Sequence, residues 1–131
     1  MNSTYSGKSV PILAIITAVG ILLFWLGFFT IGMAPDNPPP CYFAYEHAFP
    51  LPDIVMAFVM IAAGYLMLKK IQVGQSLMLA AAGALTFLGL LDFSFNLQNG
   101  IYAISTMDMI LNGFINTWCV LFGAFMIGKL K

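Results

Sequence analysis

LKKIQVG, residues 68 to 74, decides the fold. Apolar residues dominate for many positions on either side of it, and two adjacent lysines interrupt them. Lys69 to Val73 leaves room only for a tight reversal, so the flanking segments are expected to be antiparallel helical neighbours.

Working outward, the 131 residues are 61% hydrophobic and 8% charged, against roughly 45–50% and about 25% in soluble domains. So few charges cannot cover that much apolar side chain in water, and the chain is expected to reside in a bilayer. About 20 apolar residues cross the hydrocarbon core as a helix. Four stretches qualify, at about 10–33, 52–70, 74–96 and 106–128, all within one domain covering residues 1–131. Gly32-Met33-Ala34 has the small residues of a signal-peptide cleavage site. The apolar region before it is too long for a cleaved signal, so a retained anchor is expected.

The lysines orient the spans. Lys8 precedes the first, Lys69 and Lys70 join the second to the third, and Lys129 and Lys131 follow the fourth. All five fall on one side of a four-span arrangement, and the positive-inside rule makes that side cytoplasmic. The expected fold is an all-α membrane protein: an up-down-up-down four-helix transmembrane bundle with both termini cytoplasmic. No organelle-targeting signal is apparent, which favours a prokaryotic cytoplasmic membrane.

Several function classes drop out. Zero net charge offers nothing to nucleic acid. Cys41 and Cys119 have no C-x-x-C spacing for a redox dithiol. One histidine is too few for bis-histidine haem ligation within the chain. No cofactor is expected.

The connections carry turn chemistry. The outer loop Ala34 to Leu51 contains DNPPPC, whose prolines favour extended geometry. The second outer loop, Leu97 to Ser105, carries Asn99-Gly100. The AAAGA run at 80–84 would let the third helix approach a neighbour closely.

The acids Asp36, Glu46, Asp53, Asp92 and Asp108 all fall on the side opposite the lysines. Ser105 and Asp108 have capping-box spacing, and Asp53 lies in a first helical turn, where the dipole favours it. Asp92 is different. It lies about 27 Å from Gly74 along its helix, near a carboxyl end that repels negative charge, among Leu90, Leu91, Phe93 and Phe95. Something must satisfy it: the amide of Asn96, the stripe Asp108, Asn112 and Asn116 on one face of the fourth helix, His47 from the loop, a proton, or a bound cation or amine. Asn112 and Asn116 are expected to face the interior, bonding with Thr86. Trp118, deep in its span, needs an acceptor for its indole N–H.

EHAFPLPD, residues 46 to 53, concentrates Glu46, His47 and Asp53 above the bundle mouth. With Asp92 these could form a loose divalent metal site, but their spacing is not diagnostic. Aromatics such as Trp25, Phe29, Tyr42, Tyr45 and Tyr102 gather on the same side, either as an interfacial belt or as the wall of a ligand pocket.

Three functions follow. The foremost is a binding or transporter-like protein whose outward-facing pocket takes a cation or small amphipathic amine, using Asp92, Asp108, Asp53, Asn96, Asn112, Asn116, Glu46 and His47. The second is an accessory subunit of a larger membrane complex. The third is a membrane-embedded enzyme on lipid-like substrates that transfers protons through an acid pair. Expected partners are the lipid bilayer, with a second copy of the chain or a larger membrane complex, and no nucleic acid.

Overall fold

The computed structural model describes residues 5–131. It is helical: α1 (Ser9–Thr30), a short α2 (Tyr42–Glu46), α3 (Pro50–Leu68), α4 (Val73–Gln98), a 3-10 turn (Ile101–Ala103) and α5 (Thr106–Leu130). Four segments are long and apolar enough to cross a membrane: Ser9–Thr30, Tyr42–Leu68 (α2 and α3 together), Val73–Gln98 and Thr106–Leu130.

The LKKIQVG stretch closes α3 with a Schellman motif. Lys70 adopts the left-handed conformation, with φ of 63°. Its N–H reaches the carbonyl of Met67, and that of Ile71 reaches Leu66, both at 2.9 Å. Two otherwise orphaned carbonyls are thereby satisfied. Tyr5, Ser6 and Leu130, from the two ends of the described residues, meet this turn. The Lys70 ammonium donates to the Ser6 carbonyl at 3.2 Å. Gln75, one turn into α4, accepts from the Tyr5 N–H at 2.6 Å and donates to the Leu130 carbonyl at 2.7 Å. Lysine-bearing segments from three parts of the sequence therefore share one end of the molecule.

The helices pack in the order α1 on α3, α3 on α4 and α4 on α5. Small residues and methionines fill the core, with Ala14 and Ala18 on α1, Met60 and Ala63 on α3, Met78 and Ala82 on α4, and Met126 on α5. In lipid, helix association rests on close packing, which small residues permit, and methionine adapts to the gaps that remain. Glycine sets the closest approach of α4 to α5. A Cβ on Gly89 would lie 2.9 Å from that of Cys119, and one on Gly123 would collide with the Thr86 hydroxyl and lie 2.9 Å from the Ala82 carbonyl. In the AAAGA run, Ala81 and Ala82 are the buried members, while a Cβ on Gly83 would meet nothing.

The chain path adds detail at two points. The loop from Ala34 to Leu51 is not extended throughout, because helix resumes at Tyr42, directly after the proline run. Beyond Pro40 nothing bars helix, and Tyr42 and Phe49 gain a buried cluster with Trp25, Phe28 and Ile101. Helix α3 begins at Pro50, two residues ahead of the expected boundary at about 52. A first-turn proline loses no hydrogen bond, and the first helical bond runs from the Asp53 N–H to the Phe49 carbonyl at 2.9 Å.

Candidate functional site

A cavity of about 470 Å³ extends along the side of the bundle where α1 and α5 face each other. These two helices make no extended contact of their own. Their principal polar link is Trp118, whose indole N–H donates to the Thr17 hydroxyl at 3.0 Å. The expected acceptor for Trp118 is thus a threonine on another helix. The walls are mainly apolar, with Leu13, Ile16, Gly20 and Phe24 from α1 facing Leu111, Phe114 and Ile115 from α5.

The polar groups collect at the end of the cavity away from Lys69 and Lys70. Glu46, Asp53 and Asp92 all line it, contributed by α2, α3 and α4. No lysine, arginine or histidine joins them in the lining. The helices explain why each acid is there. Asp53 is in the first turn of α3. Asp92 lies six residues before the end of α4, and α2 carries Glu46 over the mouth.

Each carboxylate is held differently. Asp53 accepts the indole N–H of Trp25 at 2.9 Å. Asp92 accepts the Tyr45 hydroxyl at 3.3 Å on one oxygen and the Asn96 amide at 3.4 Å on the other. These are long bonds, at the weak edge of the usual range. Tyr45 is held by stacking on Phe95, with ring centroids 3.7 Å apart and planes 3° from parallel. Glu46 is only 9% exposed, yet among the described residues no protein donor reaches its side chain. Its oxygens are not sealed in packing, and the residue lines the cavity.

The other sequence candidates have separate places. Asn96, almost fully buried, supports Asp92. Asn112 and Asn116 line the cavity. Asn112 donates to the Asp108 carbonyl at 3.0 Å, and Asn116 donates to the Tyr102 hydroxyl at 2.6 Å. The expected bond between these asparagines and Thr86 is not made, because Thr86 turns back to the Ala82 carbonyl of its own helix at 2.8 Å, beside Gly123. Asp108 serves the cap of α5: the Ser105 hydroxyl is the N-cap, accepting the Asp108 N–H at 3.0 Å and donating to the Asp108 carboxylate at 2.7 Å. His47 lies outside the lining. Its ring stacks on Phe29 with centroids 5.8 Å apart, and among the described residues it makes no hydrogen bond to Asp92.

Among the described residues, no three histidine, cysteine or acidic side chains gather closely enough to hold a metal ion. The acids share a cavity without converging on one point.

Sequence reasoning missed Trp25 as the partner of Asp53. A signal was present: Trp25 continues the helical stripe Ala14, Ala18, Ile21 that packs into the bundle. Tyr45 gave no comparable signal, since α2 itself was not anticipated.

No family model, curated protein or solved structure matches this chain.

Proposed function

We propose that this is a ligand-binding membrane protein whose cavity takes a small amphipathic cation, a hydrophobic amine above all. The observation that carries the reading is the lining: three carboxylates and no basic side chain at one end of an otherwise apolar cavity of about 470 Å³. That volume lies within the range of small-molecule sites, about 300–1,000 Å³. Anions held at the edge of a low-dielectric layer attract a counter-charge strongly, and the apolar walls favour a ligand with a hydrocarbon body.

In this reading the chain crosses a prokaryotic cytoplasmic membrane four times in up-down-up-down order, with both termini in the cytoplasm. Support comes from the contacts of Ser6, Lys70, Gln75 and Leu130, which gather the lysine-bearing segments at one end. The positive-inside rule assigns that end to the cytoplasm, so the acidic mouth faces outward.

The test is thermal unfolding of the purified protein in mild detergent against a panel of benzylamine, phenethylamine and simple inorganic cations. Saturating amine is expected to stabilise wild type by about 2.7 kcal/mol at a hundredfold excess over Kd, and Asp92→Asn to lose most of that gain. No stabilisation of wild type by any amine would end the reading.

A further inference from the structure

The cavity is elongated, and its shape specifies the ligand more narrowly. Its α1 wall runs from Leu13 to Trp25, about 18 Å at 1.5 Å per residue. The carboxylates occupy one end only. Below them the lining is mainly hydrocarbon, apart from the bonded pair Thr17 and Trp118, and includes residues of the outer helix surface, with Ile16 60% exposed and Phe114 68% exposed. These residues lie on the α1 and α5 faces that would look into lipid. The groove therefore opens sideways, toward acyl chains, rather than only upward toward water.

At the acidic end, Asp53 and Asp92 have donors from Trp25, Tyr45 and Asn96. Glu46 is more than nine-tenths buried, has no donor among the described residues, and faces the cavity. Of the three acids it has the most unspent capacity for hydrogen bonds.

Resting on the cation-binding reading, we infer that the ligand is a single-chain, membrane-borne primary amine. Its ammonium meets Glu46, and its tail lies between α1 and α5, entering from the bilayer through the gap beside Gly20. An ammonium has three donors, enough to bond Glu46 and reach a neighbouring carboxylate. A saturated tail matches the groove without presenting a polar group to Leu13, Ile16 or Phe114. Gly20 lines the groove, and a Cβ there would meet nothing within 4 Å, so the opening at that point is free of protein.

The chain's two tryptophans, Trp25 and Trp118, both line the cavity, so intrinsic fluorescence reports occupancy directly. The experiment uses full-length protein in lipid nanodiscs, titrated with dodecylamine, with hexylamine as the short water-soluble amine, and with dodecanol as the uncharged long chain. Dodecylamine is expected to give a saturable change well below the concentration hexylamine needs, and dodecanol to give none. Glu46→Gln is expected to weaken dodecylamine about tenfold. Gly20→Phe, which fills the side opening, is expected to cut the preference for dodecylamine over hexylamine by roughly tenfold, the equivalent of about two displaced methylenes. Should Gly20→Phe unfold, Ile16→Trp narrows the same opening from an exposed position. Equal affinity for both amines, untouched by either variant, would overturn the bilayer-borne tail and leave cation binding standing. Unchanged dodecylamine binding in Glu46→Gln would overturn the anchoring role. No response to either amine would overturn this inference and the broader reading together.

Discussion

The indole N–H of Trp25 on α1 lies 2.9 Å from a carboxylate oxygen of Asp53 in the first turn of α3. One bond joins two helices and fixes one of the acids that line the cavity. The acid also sits where the α3 dipole favours negative charge, so its position has two independent supports. Asp92 lies at the opposite kind of helix end and is held there by Tyr45 and Asn96.

Trp25→Phe keeps an aromatic ring in the cluster but removes the donor. Loss of a hydrogen bond to a charged group costs about 1.5–3 kcal/mol, so the unfolding midpoint in a fixed detergent is expected to fall. Adding Asp53→Leu in the same background should recover part of the loss, since no carboxylate is then left stranded. A further drop in the double variant would show that the bond is not the reason for the first.

Thr17 and Trp118 join α1 to α5 across the cavity. A double-mutant cycle with Thr17→Val and Trp118→Phe is expected to give a coupling near 0.6 kcal/mol and no more than about 1.7 kcal/mol, the span found for hydrogen bonds between membrane helices. Zero coupling would mean that the two helices are held apart or together by other means.

Gly123 and Gly83 provide a matched comparison. Gly123→Val drives a side chain against Thr86 and the Ala82 carbonyl, whereas Gly83→Val projects into open space. Overpacking costs about 1–3 kcal/mol. Gly123→Val should therefore lower the melting temperature clearly, and Gly83→Val should barely move it. Similar losses in both would separate the α4–α5 seam from the stability of the fold.

Lys70 bears the left-handed conformation usually given to glycine. Lys70→Gly relieves a backbone cost of roughly 1 kcal/mol and forfeits an exposed bond to Ser6 that is worth less. A modest rise in thermal stability is expected. At neighbouring Lys69, with φ of −85°, glycine should lower stability instead.

Much of this architecture is legible in residue order because lipid imposes a simple rule: backbone polar groups must be satisfied within the segment. Hydropathy alone therefore marks the four long helices, and Ser105 with Asp108 marks the start of α5 by spacing. The cavity is less legible. Asp92 stands out as an acid in need of partners, but the partners come from Tyr45, on a helix hidden behind a proline run, and from Asn96. Pairings such as Trp25 with Asp53 and Trp118 with Thr17 depend on which helices are neighbours and on their rotation. Periodicity with weak amphipathic contrast leaves that rotation undetermined, since lipid and core are equally apolar. Thr86 shows the same ambiguity at the scale of one hydroxyl, which its own helix satisfies before another can.

Asp92 lies about 9 Å from the end of α4, with Glu46 and Asp53 beside the same mouth. An ion held there would have crossed only a thin slice of the electrical field of an energised cell surface, in which a full passage is worth about 2.3 kcal/mol per 100 mV. Under the proposed reading, occupancy should then stay almost constant as the membrane polarises or depolarises.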